Sequence, residues 1–175
     1  MQFEYPSTAI HHITVCSGKA QLDIDFFTQI LGQRLIKQTI LFDGRYAHYH
    51  LYYSNGSIDP ATVMTSFPYS RVPGRQGSGQ VQSTAYSIEP GAIPFWVEHL
   101  NKNGVAHGGV QERFGQLFLN FEHPSGLRFE VIEDAREHRK GWDTDQIAAS
   151  ESARGFNSTT FSVREIEEEE RFLIE

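Results

Sequence analysis

Two adjacent histidines near the start of the chain, His11 and His12, are the residues whose type and position first suggest chemistry. They lie in the segment AIHHITVCSG, among apolar and β-branched residues that are typical of a strand. Imidazole nitrogens bind divalent transition metals and move protons near neutral pH. Because neighbouring residues of a strand point to opposite faces, we expect His12 and Thr14 to share one face and His11 to point away. A purely structural role for the pair is the alternative, and at this point both remain open.

The elements that must position this pair recur along the chain. Strand-like residues at 9–17 are followed by apolar residues at helical spacing up to Gly32, and then by three further strand candidates. The same order returns after a Gly-, Ser- and Arg-rich stretch at 70–80 and begins a third time near 156. Each unit is too small to close a core alone, so two such β-α-β-β-β units must pair.

We therefore expect an α+β fold of paired β-α-β-β-β modules. The expected organisation is a first module at 1–70, a second at 80–134, a linker at 135–153 and the start of a truncated third module at 154–175. The third unit lacks its last three strands, so a natural full-length chain is expected to continue. Its unpaired strand is expected to need a partner.

The first strands of the three units differ at the positions of the histidine pair. When the apolar patterns are aligned, Gln82 and Ser83 replace the pair in the second unit, and Asn157 and Ser158 replace it in the third. Only the first unit carries imidazoles there. The comparison therefore favours a specific role for the pair over generic packing.

The remaining candidates carry weaker signals. His48 and His50 lie two apart in a tyrosine-rich run, so they share a strand face that we interpret as a polar aromatic surface. Cys16 is predicted to be a small buried residue, since free cysteines are usually buried. The other four histidines are interpreted as surface or turn residues: His99, His107, His123 and His138.

The composition limits the classes of protein to be considered. Hydrophobic residues make up 39% and aromatic residues 13% of the 175 residues, which supports a packed core. The net charge of −7 and the lack of a basic stripe argue against a nucleic-acid partner.

No apolar run is long enough to span a membrane, and the start MQFEYPSTAI does not resemble a signal peptide. A single cysteine excludes a disulfide framework, so we expect a cytoplasmic protein.

The repeat and its histidine resemble a known group of proteins. A β-α-β-β-β repeat with a metal-type histidine in its first strand is similar to the vicinal oxygen chelate superfamily of glyoxalases, bleomycin-resistance proteins and extradiol dioxygenases. More narrowly, the chain resembles the hydroquinone ring-cleaving dioxygenases. The segments that carry this resemblance are HHITVCSGKAQLDIDFFTQILGQRLIKQT, FDGRYAHYHLYY, TVMTSFP, RFGQLFLNFEHPSGLRFEVIED and RGFNSTTFSVREIE. The resemblance implies mixed curved sheets with helices outside.

The resemblance also implies roles for the residues of the first strand. His12 would be a ligand of Fe(II), with Mn(II) as a substitute, His11 would lie beside the metal near the substrate, and Thr14 would line the same pocket. The substrates would be a small aromatic diol and O2. The family takes the other two ligands, a His and a Glu, from a fourth unit, which would complete a two-histidine, one-carboxylate site.

Two other functions remain open. In a two-module homodimer of the glyoxalase or resistance type, His12 would combine with Glu130 of the partner subunit, although Ser83 stands where that arrangement would place a histidine. Without such a metal site, Glu130 is expected to be a buried or edge carboxylate with another partner. The chain is otherwise an inactive or binding-only fragment that needs a second polypeptide. We thus expect a homo-oligomer or a separate C-terminal half as partner.

Overall fold

The computed structural model describes residues 10–70 and 74–174, and two modules follow one another in it. The first module contains β1 (His12–Ser17), α1 (Ala20–Asp25) with a π-helical continuation (Phe26–Ile30), β2 (Arg34–Phe42), β3 (Ala47–Ser54) and β4 (Val63–Pro68). The second contains β5 (Gln80–Ile88), α2 (Ile93–Lys102), β6 (His107–Arg113), β7 (Gln116–Glu122) and β8 (Arg128–Glu133). They are followed by β9 (Gly155–Ser162) and α3 (Ile166–Ile174). Positions 1–9 of the expected first module, 71–73 of the Gly-rich stretch and 175 of the expected third module lie outside the described residues.

Each module forms a mixed sheet of the same topology. The first sheet has the order β1-β4-β3-β2, with β1 parallel to β4 and the other pairs antiparallel. The second has the order β6-β7-β8-β5-β9, with β5 parallel to β8. Strand β9 adds to the outer edge of β5 in the antiparallel direction. The α+β architecture of repeated βαβββ modules agrees with the prediction.

One hydrophobic core lies behind both sheets. Its fully buried members come from both modules and include Phe27, Leu51, Met64, Trp96, Leu119 and Val131. The helical segments of the two modules meet there, because the ring of His99 in α2 lies 3.0 Å from the carbonyl oxygen of Ile30. The opposite face of the first sheet is left open, and it carries the polar residues described below.

A buried polar cluster joins the two modules through this core. The Tyr53 hydroxyl donates to Asp23 Oδ2 at 2.8 Å, and His123 Nε2 of the second module lies 3.4 Å from Asp23 Oδ1. Burial raises the pKa of Asp23 and lowers the pKa of His123 to about 4. The prediction that His99 is a surface or turn residue was wrong, because it lies in α2 and is 5% exposed. His123 does lie in a turn, as predicted, but it is 1% exposed.

The segment between the second module and β9 has no helix or strand, yet it is fastened to both modules. Ile147 is 1% exposed and belongs to the shared core. The Arg139 guanidinium donates to the carbonyl oxygen of Ala61 at 3.0 Å and to Glu137. In the part of the chain that the structure describes, no helix is long and apolar enough to cross a membrane.

Candidate functional site

The open face of β1 carries the first group of candidate residues. Ile13 and Val15 pack against the core, whereas His12, Thr14 and Cys16 are exposed on the opposite side. The strand alternation thus places His12 and Thr14 on one face, as expected. The prediction of a buried Cys16 was wrong, because the same alternation turns this residue away from the core.

The two histidine rings contact each other. His11 Nδ1 lies 2.8 Å from His12 Nδ1, and the rings meet edge to face with centroids 5.1 Å apart. Strand β1 begins at His12, so His11 lies outside it. The direction of the His11 side chain therefore need not alternate with that of His12. The expectation that the rings point apart therefore fails. The contact occupies Nδ1 of His12, and Nε2 has no partner among the described residues.

Thr14 is fixed by a cross-strand hydrogen bond. Its register partner on β4 is Thr65, and the register partner of Thr65 on β3 is Tyr52. The Oγ1 atoms of Thr14 and Thr65 are 2.8 Å apart, and Thr65 is 1% exposed. The hydroxyl of Thr14 thus has a defined orientation on the open face beside His12.

Aromatic rings from β3 and β4 continue this face. His50 stacks on Phe67 with a centroid distance of 4.0 Å, and its Nδ1 lies 2.9 Å from the Tyr52 hydroxyl. Burial is the main cause that lowers the pKa of His50, and the nearby charge of His12 lowers it further. The predicted polar aromatic surface is therefore present. It shares the open face with His12.

The described residues of the first module do not form a full set of metal ligands on this face. Among residues 10–70 and 74–174, no three His, Cys, Asp or Glu side chains are grouped so that they could hold a metal ion. His12 has an exposed imidazole whose Nε2 contacts no polar group of residues 10–70 and 74–174, which fits one ligand of such a site. The described residues do not bring a second or third ligand to it.

The equivalent place in the second module is filled by a self-contained polar cluster. Ser83 donates to Glu130 Oε1 at 2.9 Å, and Arg113 donates to Oε2 at 2.5 Å. The Arg113 guanidinium also lies 4.6 Å from the centroid of the Phe118 ring. Glu130 is therefore a buried carboxylate with partners of its own. The sequence placed Ser83 and Glu130 in register-related strands, but nothing in it pointed to Arg113.

Known proteins similar to this chain are ring-cleaving dioxygenases, although no protein-family model matches it. Chlorohydroquinone/hydroquinone 1,2-dioxygenase of Sphingobium indicum is 40% identical over 177 residues, which cover 99% of this chain and 55% of that protein. The proposed ring-cleaving dioxygenase MhqO of Bacillus subtilis is 37% identical over 152 residues, or 86% of this chain and 48% of that protein. The chain thus spans about half the length of the curated relatives that it matches.

Solved structures show the same fold. A proposed dioxygenase from Bacillus subtilis aligns with a TM-score of 0.78 and 37% identity, covering 87% of this chain and 49% of that one. A glyoxalase family protein from Enterococcus faecalis aligns with a TM-score of 0.61 and 20% identity, covering 72% of this chain and 98% of that one. At this identity the match indicates a shared fold and not a shared activity. The chain is thus similar in sequence to hydroquinone ring-cleaving dioxygenases and in fold to a glyoxalase family protein, and both likenesses are consistent with the vicinal oxygen chelate superfamily.

Proposed function

We propose that this chain forms one part of a non-heme iron dioxygenase that cleaves the ring of hydroquinone-type aromatics. The observation behind the proposal is the state of His12, an exposed imidazole whose Nδ1 contacts His11 Nδ1 and whose Nε2 has no partner among the described residues. A metal-binding histidine usually donates its second ring N–H to an acceptor, and His11 Nδ1 can be that acceptor. The 40% identity to a hydroquinone dioxygenase supports the choice of reaction.

The edge of β1 suggests where the other ligands would come from. In the second module the outer edge of β5 is covered by β9, and the pairing is centred on Thr84 opposite Thr159. Strand β1 is the counterpart of β5, and among the described residues none pairs with its outer edge. A further module, from the rest of a longer protein or from a second polypeptide, would place its first strand there. Its side chains would then lie beside His12.

The residues around His12 have separate tasks in this proposal. Bound iron(II), or manganese(II) as a substitute, would hold a substrate hydroxyl and activate O2. His11, whose ring contacts that of His12, would hydrogen-bond the substrate or O2 beside the metal. Thr14 presents a hydroxyl that Thr65 orients. The stacked rings of His50 and Phe67 give the substrate ring an apolar wall.

The competing homodimeric glyoxalase-type site requires Glu130 as a metal ligand. Both oxygens of that carboxylate are already bound, one by Ser83 and one by Arg113, and the residue is 6% exposed. Freeing it would break the ion pair between this buried carboxylate and the partly exposed Arg113, which is costly. The geometry therefore favours the dioxygenase site, or a fragment that awaits its second part, over the homodimer.

An anaerobic titration with Fe(II) separates these functions. We expect weak binding by the 175-residue chain, a further loss in His12→Ala and no change in Glu130→Gln, with His107→Ala as a control on a histidine remote from β1. Loss of binding in both His12→Ala and Glu130→Gln would favour the homodimer instead. Binding that is unchanged in His12→Ala would contradict the proposed role of His12.

A further inference from the structure

A cavity opens at the end of the first sheet, away from His12. Its volume is about 610 Å³, within the range of small-molecule sites. It lies where the β2–β3 hairpin meets the ends of β1 and β4, and its lining includes Gly18, Tyr46, His48, Pro68 and Tyr69. Gly18 follows His12 by six positions, which at ~3.3 Å per strand residue separates them by roughly 20 Å. The cavity therefore lies on the same open face as His12 but at its opposite end.

A carboxylate–histidine pair supplies the polar group of this cavity. Asp43 Oδ1 accepts hydrogen bonds from the backbone N–H groups of Tyr46 at 2.7 Å and Arg45 at 2.9 Å, and these bonds lower the pKa of Asp43. Its Oδ2 lies 3.3 Å from His48 Nε2. An ionised carboxylate at that distance favours the tautomer with its proton on Nε2. His48 Nδ1, which has no partner among the described residues, is then a hydrogen-bond acceptor.

The remaining lining favours a flat, uncharged ring. The rings of His48 and Tyr69 have centroids 4.4 Å apart, and the ring centroid of Tyr46 lies 6.2 Å from that of His48. Aromatic side chains at such spacings accept another ring by stacking or by edge-to-face contact. The Arg45 guanidinium already lies 5.0 Å from the Tyr46 ring centroid, which disfavours a cationic ligand there.

We propose that this cavity binds a phenol, with its ring against Tyr46 and Tyr69 and its hydroxyl donating to His48 Nδ1. The site goes beyond the proposed function, because it requires neither a metal nor His12. It would concentrate phenolic ligands on the protein away from the place of reaction.

Ligand-observed NMR and equilibrium dialysis under anaerobic conditions test the site on the metal-free chain. Hydroquinone should bind saturably and shift the ring signals of His48. 1,4-Dimethoxybenzene has the same ring without a hydroxyl donor, and it should bind about tenfold more weakly, the effect of one hydrogen bond. His48→Phe keeps an aromatic ring but removes the acceptor, so it should lose a similar factor. His12→Ala should bind hydroquinone as the unchanged chain does.

Four results would overturn the site. They are no saturable binding of hydroquinone, equal binding of the dimethoxy compound, unchanged binding by a folded His48→Phe variant, and preferential binding of tetramethylammonium. Loss of binding in His12→Ala would also overturn it and would place the ligand beside His12 instead. The test measures binding without turnover, so its result can be interpreted even if the dioxygenase proposal fails.

Discussion

Strands β1 and β5 begin the two modules in the same way, but their open faces differ. Each pairs in parallel with the last strand of its own module. On β5, Ser83 belongs to a cluster in which every polar group meets another, and β9 covers the outer edge. On β1, Nε2 of His12 has no partner among the described residues. The same scaffold therefore carries a closed polar cluster in the second module and an exposed imidazole in the first.

The largest effect on stability is expected when the cationic partner of Glu130 is removed. Arg113→Ala leaves a buried carboxylate without its cation, and we expect a loss of about 2–3 kcal/mol in the free energy of unfolding. Urea denaturation at neutral pH measures it. The matched control is Arg136→Ala, whose side chain is 81% exposed beside Asp134, and which should cost less than about 1 kcal/mol. Equal costs for the two variants would contradict the assignment of a structural role to the second module's cluster.

The contact between the modules should make stability depend on pH. His123 has a pKa of about 4 in the folded protein against 6.5 when unperturbed, so its neutral form is favoured by folding. That contribution is complete above pH 6.5 and is lost as the pH falls toward 4, by about 2 kcal/mol at pH 5. Protonation of Asp23, whose pKa is raised, acts in the opposite direction.

Urea denaturation of the chain and of His123→Gln at pH 7 and pH 5 isolates the histidine. Glutamine cannot titrate, so the variant should lose less stability on acidification than the unchanged chain. An identical loss in both proteins would show that His123 is not the group responsible.

A smaller effect is expected on the open face of β1. Thr14→Val keeps the shape of the side chain but leaves the buried hydroxyl of Thr65 without a partner, which should cost about 1 kcal/mol. Thermal or urea unfolding measures the cost, and Thr160→Val on β9, where no such hydroxyl pair occurs among the described contacts, is the comparison. A cost of zero would mean that the Thr14 hydroxyl is not fixed by Thr65.

The smallest effect on stability is expected at His12 itself. Its side chain is exposed, and its hydrogen bond is to the exposed His11, so His12→Ala should change the free energy of unfolding by less than about 0.5 kcal/mol. A loss near that of Arg113→Ala would identify His12 as a structural residue and remove the contrast between β1 and β5.

Local patterns in the sequence were enough to predict the modules and the face of His12. Both rest on short-range rules, namely the strand alternation around Ile13 and the helical spacing that ends at Gly32. Alternation failed for His11, because the strand begins one residue later. For Cys16, strand alternation predicts an exposed side chain, whereas the usual burial of free cysteines predicts a buried one. The alternation was the better guide.

Contacts between distant parts of the chain could not be predicted from the sequence. His123 precedes Pro124 in a turn motif, and nothing local shows that the turn packs against Asp23, 100 positions earlier in the chain. Arg113 reaches Glu130 because β6, β7 and β8 are neighbours in the sheet, which only the folded structure reveals. The polar network between the modules is therefore a property of tertiary packing.

The proposed role of His12 in ring cleavage can be measured as turnover by a protein that contains all of the expected modules. Residues 1–175 would be joined to the remaining part of the Sphingobium indicum relative and assayed aerobically with Fe(II) and hydroquinone. We predict turnover by this fusion, at least a ~100-fold loss in its His12→Ala variant, little change in its Ser83→Ala variant, and no turnover by the 175-residue chain alone. Undiminished turnover by the His12→Ala fusion, or turnover by the 175-residue chain alone, would contradict the account.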